Sequence, residues 1–340
     1  MTTPVIRGYG IDWHVQGRSA AFDDLLIDPL RPYCNVQIAP LPQQGSIPLP
    51  GAGEPLIFCQ AIPPAYLFDS PNARIVWIPM WDQMRGYSQL WWNALPKSLR
   101  VVAYSHVVEQ RARRAGLPVL RLTYYKDPDA LPPARWDGER VLFYWNRIGM
   151  LEPALLERLC AELRIDRLLF KPEIDPFIPA AAAFTLPDRL GQTVVEPIPT
   201  VASREQHWQL IERASFYIAP RLYEGAGMTF LEALARGCAV LAHRGPTMSE
   251  YMTHGQDGYF FARRWTAGRV RHAAHSKLAL HRLLRQPAFR YPLFAREQPW
   301  DALRQMDWPA IGAEARRRHQ LGFRQWQAQI PELARFILDG

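Results

Sequence analysis

Two carboxylates eight positions apart bracket a pair of glycines in Tyr223-Glu224-Gly225-Ala226-Gly227-Met228-Thr229-Phe230-Leu231-Glu232. The flanking pattern reads as a strand at 216–219, a loop holding Glu224, Gly225 and Gly227, a helix opening near Met228, and a second strand at 239–242. Glu232 then sits about two turns inside the helix. A loop entering a helix presents unpaired N–H groups, here those of Gly225 to Thr229, at the positive end of the helix dipole, an arrangement suited to a phosphate. Gly225 and Gly227 let the backbone approach a ligand that a Cβ would keep away. Glu224 and Glu232 can accept hydrogen bonds from hydroxyls on either side of that phosphate. A phosphate flanked by two polyols is the outline of a nucleotide sugar. The plainer alternative is a βαβ unit whose carboxylates are merely solvated.

Tyr223, Glu224, Gly225, Gly227, Leu231, Glu232, Ala233, Ala235, Gly237 and Val240 together resemble the donor-site signature of group 1 glycosyltransferases. The likeness continues through Gly245, Glu250 and the turn at 255–258. It implies an α/β protein of GT-B fold, with two Rossmann-like domains facing each other across a cleft. It also implies a retaining enzyme that moves a sugar from a nucleotide diphosphate sugar to an acceptor hydroxyl. On that resemblance Glu224 holds the donor sugar and Glu232 the ribose, while Gly225, Gly227, Met228 and Thr229 line the diphosphate.

The family places an arginine after the first strand of this domain, where Arg147 stands, and a lysine five positions later, where this chain has Glu152. A carboxylate facing a diphosphate is repelled. Either Glu152 points away, or Lys171 at the next strand end supplies the cation, or the donor site is altered. Lys171 has an ordinary reading too, as a solvated lysine. Toward the acceptor, Gly17, Arg18 and Ser19 in the first strand-to-helix turn are candidates, with an empty tight turn as the alternative. His14 is a candidate catalytic imidazole or a structural one. Asp82, in Ile78-Pro-Met-Trp-Asp82, stands where the family carries a histidine, and is a candidate for acceptor binding or base chemistry. No metal-binding motif is identified, so no metal and no cofactor beyond the donor is expected. Glu224, being in a loop, is expected to contribute little to stability.

These residues need a scaffold of 340 residues, a length that suggests two domains. Strand-like runs at 4–11, 35–38, 56–60, 74–78 and 100–104 alternate with helical stretches at 21–27 and 107–115, giving a first domain over 1–135. The proline-rich segment 127–138 reads as a linker. Strands at 141–145, 167–170 and 192–195, with a helix over 152–163, open a second domain over 139–300. Residues 301–340 hold final helices that resemble the family's C-terminal segment, which implies that they return to pack on the first domain. Trp77, Trp81, Tyr87, Trp91 and Trp92 are either core or a rim that stacks on sugars or seats at a membrane.

With 48% hydrophobic and 21% charged residues the chain is globular rather than disordered. Four scattered cysteines (Cys34, Cys59, Cys160, Cys238) point to reduced thiols and a cytoplasmic setting, and the first residues lack the form of a signal peptide. The net charge is +8, and residues 263–340 hold 15 Lys and Arg against 6 Asp and Glu. No nucleic-acid-binding signature accompanies the excess. It suits peripheral contact with an anionic inner membrane face and a carbohydrate or lipid-linked acceptor, or simply arginine-rich helices. The competing functions are a nucleotide-sugar epimerase or phosphorylase on the same fold, and a catalytically altered homologue that binds a partner.

Overall fold

The structure, a computed structural model, describes residues 4–11, 15, 21–42, 46–51, 53–70, 73–147, 151, 153–173, 184–199, 203–219, 221–267, 290–294 and 298–339. His14, Gly17, Arg18, Ser19 and Glu152 lie outside the described residues. The chain separates into two units, one made of Met1–Lys126, Glu224–Met228 and Leu321–Gly340, the other of Asp127–Tyr223 and Thr229–Gln320.

In the first unit, runs such as Leu56-Ile57-Phe58-Cys59 and Ile75-Val76-Trp77-Ile78 are apolar without alternation, which suits strands covered on both faces. They form β3 and β4 of a six-stranded sheet: β1 (Val5–Gly10), β2 (Asn35–Pro40), β3 (Pro55–Cys59), β4 (Arg74–Ile78), β5 (Arg100–Ala103) and β6 (Val119–Arg121). The order is β2-β1-β3-β4-β5-β6 and every pairing is parallel. Helix α1 (His106–Arg114) starts at Ser105, whose Oγ accepts from Val108 N. The tryptophan cluster belongs to the core: Trp77 and Trp92 are fully buried with ring centroids 5.4 Å apart, and Trp81 is buried beside them in sequence. Tyr87 and Trp91 are half-buried, 4.3 Å apart.

The second unit is built on β7 (Val141–Trp145), β8 (Arg167–Lys171), β9 (Arg189–Leu190), β10 (Thr193–Pro197), β11 (Phe216–Ala219), β12 (Ala239–Ala242) and β13 (Tyr259–Phe260). Their order is β13-β12-β11-β7-β8-β10-β9, parallel except for the short edge strand β9. The helices α2 (Pro153–Leu163), α3 (Arg204–Arg213) and α4 (Met228–Arg236) connect the parallel strands. Strands β14 (Arg263–Ala267) and β15 (Arg290–Phe294) pair as a separate antiparallel ribbon. Apolar side chains from β7, α2, β8 and β11 share one cluster with Trp300, Leu303, Trp308 and Ile311.

The segment 127–138 is fastened to the second unit rather than left loose. Arg236 is 2% exposed; its Nε donates to Pro132 O (2.8 Å), Nη2 to Glu212 O (2.7 Å), and Nη1 to Ile211 O. Ala134 N returns a hydrogen bond to Arg236 O, and Trp136 meets Phe216 edge-on.

The 31-residue helix α5 (Trp308–Leu338) contributes to both units in turn. In the second unit, Arg316 donates to Ala235 O and Pro128 O, and Arg318 pairs with the buried Asp257. A Cβ at Gly312 would strike the Gly237 carbonyl, so the close approach there requires glycine. Within the first unit, Trp326 of α5 packs on Tyr124 and Tyr104, and Arg74 donates to Leu338 O at 2.6 Å.

Because Arg236, itself buried, donates to three carbonyls through a charged group, Arg236→Ala should cost about 3 kcal/mol. Arg236→Lys should recover little of it, since a point charge cannot reproduce the fork. The expected result is a lower urea midpoint by tryptophan fluorescence; a midpoint equal to wild type would show that 127–138 does not depend on this residue.

Candidate functional site

β7 has β8 on one side and β11 on the other, so the strand order reverses around it. In a parallel sheet, ligands bind outside the carboxyl ends of the strands at such a reversal. β7 ends at Trp145, β8 at Lys171 and β11 at Ala219. Beyond Trp145 the chain turns sharply: Arg147 N donates to Trp145 O at 2.8 Å. Between them Asn146 is fully buried, its N donating to Lys171 O and its Oδ1 accepting from Tyr144 Oη at 3.0 Å. This anchoring fixes where the side chain of Arg147 begins.

Trp145 gathers two cations. Lys171 Nζ lies 3.7 Å from the indole centroid and the Arg147 guanidinium carbon 4.7 Å from it. The indole N–H is engaged by Glu173 O at 2.8 Å, and Lys171 Nζ lies 3.0 Å from Glu173 Oε2. Cation–π attraction of about 1–2 kcal/mol per pair is appreciable where water is excluded, and Lys171 is only 4% exposed. Two like charges against one ring repel each other, a repulsion that the Glu173 carboxylate beside Lys171 offsets in part.

A second group stands on α3 and α4. Glu232 is 5% exposed, and its Oε1 accepts from Trp208 Nε1 at 2.9 Å. Its Oε2 is buried with no hydrogen-bond partner. His207 Nε2 lies 3.6 Å from that oxygen and 3.1 Å from Thr229 Oγ1. The His207 ring also contacts Trp145 and Phe143, with centroids 6.2 Å away in each case. A buried carboxylate with an empty oxygen is costly unless something completes it. A ligand hydroxyl would do so.

The glycine loop 224–228 clusters with the first unit. A Cβ on Gly225 would lie 2.9 Å from Met80 Cβ and 3.0 Å from Asp82 Oδ1, which only glycine avoids. Gly227 has φ 67°, a left-handed value that glycine adopts without strain. Glu224 lies in the loop and is only 7% exposed, so its carboxylate is buried rather than solvated. Asp82 Oδ1 accepts from Gln83 N at 3.1 Å at the start of a helical turn.

The structure therefore brings together Arg147 and Lys171 through Trp145, and Thr229 and Glu232 through His207, with the Trp145–His207 contact joining the two groups. Gly225 and Asp82 meet in the first unit. Trp145, His207 and Trp208 were not singled out from sequence. A signal for the last two existed: Ser203-Arg-Glu-Gln206 has the form of a capping box, and Ser203 Oγ does accept from Gln206 N. That start places His207 and Trp208 just inside α3.

The family profile described as Glycosyl transferases group 1 matches residues 191–275, the span that holds β10, α3, β11, α4 and β12. No curated protein matches the chain. Solved structures match nearly end to end at low identity. HepE from Anabaena in complex with UDP is 12% identical with a TM-score of 0.60, over 97% of this chain and 99% of that one. Sucrose-phosphate synthase from Thermosynechococcus elongatus is 13% identical with a TM-score of 0.57, over 97% and 98%. A glycosyltransferase from Rickettsia africae is 11% identical with a TM-score of 0.55, over the whole of both chains. The resemblance to group 1 glycosyltransferases drawn from 223–258 holds, and the fold is GT-B.

Trp208→Phe keeps the ring but removes the N–H that fixes Glu232. If this carboxylate receives a nucleoside, binding of UDP or GDP should weaken by about 1.4 kcal/mol, tenfold, in isothermal titration. Unaltered affinity for both nucleotides would separate Trp208 from nucleoside binding.

Proposed function

We propose that this chain transfers a sugar from a nucleotide diphosphate sugar to a hydroxyl of a carbohydrate or lipid-linked acceptor. The observation that carries the reading is Glu232: a buried carboxylate, held on one oxygen by Trp208 and without a hydrogen bond on the other. It is linked through His207 and Trp145 to two strand-end cations. Ribose hydroxyls would complete the carboxylate, and the diphosphate would lie by Arg147 and Lys171. HepE is seen in complex with UDP, which supports a nucleoside diphosphate here by analogy of fold.

In the reaction so proposed, the bond from the anomeric carbon to the diphosphate oxygen breaks and the acceptor oxygen bonds to that carbon. The acceptor proton departs and the charge of the leaving diphosphate grows. Cations already in place stabilise that charge without reorganising, which is the main catalytic asset available. Glu224 would hold the donor sugar and the N–H groups of Gly225, Gly227, Met228 and Thr229 the phosphates. Lys171 would take the place of the lysine the family carries five residues after Arg147. Asp82 is proposed for the acceptor side.

Arg147→Ala should weaken nucleoside diphosphate binding by about 2–3 kcal/mol, the scale of a lost charge-assisted contact. Lys171→Ala should do likewise while leaving affinity for the plain nucleoside unchanged. Equal loss for nucleoside and diphosphate would remove both cations from the diphosphate site. A hydrolysis and transfer screen across UDP- and GDP-sugars tests the activity itself. Tight binding with no turnover of any donor would favour the alternative of a catalytically altered binding protein.

The basic stretch 263–340 motivates the second part of the reading, peripheral contact with an anionic membrane face. Within α5, the Arg316, Arg317 and Arg318 guanidiniums are engaged inside the chain by carbonyls, Glu314 and Asp257. Among the described residues no helix is long and apolar enough to cross a membrane. Attachment would be electrostatic, at about 1 kcal/mol per basic residue that reaches the lipid. Co-sedimentation with vesicles rich in anionic lipid should appear at low salt and fade near physiological ionic strength; no pelleting at low salt would defeat it.

A further inference from the structure

We propose that Gln60 and Gln83 form a subsite in the first unit that binds a neutral, hydroxyl-rich ligand, a sugar ring, through the carbonyl oxygen of the Gln83 amide. The inference rests on the glycosyltransferase reading in taking the donors as sugar hydroxyls and in assigning this ligand as the acceptor.

The two glutamines follow the carboxyl ends of adjacent strands. β3 ends at Cys59 and β4 at Ile78, and β3 borders the point where the first sheet reverses its order, between β1 and β3. Gln60 has φ 61°. Ala61 N donates back to Cys59 O at 2.7 Å around it, a three-residue turn of the hand that is rare and strained for side-chain-bearing residues. Among the described non-glycine residues only Arg164 shares a positive φ, and Arg164 directly follows α2, where a left-handed residue is an ordinary helix end. No helix end accounts for Gln60, and glycine would adopt its conformation freely. A strained residue persists where its surroundings over-determine it, and such residues gather at functional sites.

What the strain secures is an amide pair. Gln60 N continues the ladder to Ile78 O at 2.9 Å, and Gln60 Oε1 accepts from Gln83 Nε2 at 3.0 Å. Gln83 N is in turn fixed by Asp82 Oδ1. Both ends of Gln83 are thus held, and its Oε1 is buried without a hydrogen-bond partner. A buried amide oxygen left empty is uncommon and calls for a donor. Gln83 Oε1 and the Asp82 carboxylate are both acceptors, so the matching ligand brings donors, which on the glycosyltransferase reading are sugar O–H groups. An anionic ligand such as a phosphate would meet the charge of Asp82. Gly225, against Asp82, leaves the space a Cβ would fill.

The test uses the full chain with methyl α-glucopyranoside, methyl α-mannopyranoside and inorganic phosphate as probes, read by saturation-transfer and phosphorus NMR. At least one glycoside should receive saturation from the wild-type protein, and phosphate should show no line broadening that depends on Gln83. Gln83→Leu should cut the glycoside signal at least fivefold. Gln60→Gly, which relieves the turn but deletes the partner amide, should cut it at least twofold with a Tm no lower than wild type. Gln83→Glu keeps an acceptor oxygen, facing a flipped Gln60 amide that now donates, and should retain at least half the signal. UDP affinity should stay within twofold in all three, which separates this subsite from the donor site. Undiminished signal in Gln83→Leu, a loss in Gln83→Glu as deep as in Gln83→Leu, or no glycoside signal from wild type would overturn the proposal. If UDP fails to bind wild type while a glycoside binds through Gln83, the donor reading falls and the subsite stands.

Discussion

A parallel sheet buried on both faces leaves only its strand ends for polar chemistry, and the rest of this protein follows from that constraint. β7, β8, β11 and β12 are apolar almost throughout, and their side chains close a common core with α2. Any charged group that serves a ligand must therefore stand past the last residue of a strand or in the first turns of the following helix. Lys171 closes β8, Arg147 lies two residues past β7, and Glu232 and Thr229 lie on the helix after β11. The reversal of strand order beside β7 brings these ends to one place, which consecutive parallel strands without a reversal would not do.

Such placement exposes the site to an energetic problem: charges crowded at the edge of a dry core. The chain answers it with aromatic rings. Trp145 carries two cations on its π-system and spends its N–H on a carbonyl, and Trp208 gives its N–H to Glu232. Rings pack as core on one side and serve charge on the other, so neither cation nor carboxylate needs a full set of polar neighbours. His207 connects the two arrangements by touching Trp145, Thr229 and Glu232 together. The second oxygen of Glu232 stays without a hydrogen bond.

The same accounting separates structural arginines from functional ones. Arg236 and Arg316 satisfy carbonyls that 127–138 and the end of α4 would otherwise leave orphaned, and Arg318 neutralises Asp257, whose own carboxyl is pushed up from its ordinary pKa by burial. Each is spent on the fold. A basic composition in the tail is therefore a poor measure of how much positive charge a partner meets, since the guanidinium fork suits buried carbonyls as well as anions.

By itself the sequence determined many of the elements and the family resemblance carried by the loop. The strands over 74–78, 141–145, 216–219 and 239–242 were legible because continuous apolar runs between glycines and turn residues admit little else. The loop between β11 and α4 was legible because its glycines stand just before a helix start. Only tertiary structure decided which side chains share the site. Trp145 looked like the end of a buried strand, and the pairing of β7 with β8 in register sets it opposite Lys171. His207 and Trp208 lie more than twenty residues before Glu232, and Gln60 lies 23 before Gln83. A contact between helices, or between the ends of neighbouring strands, depends on how sheets and helices stack, and no local periodicity records that distance.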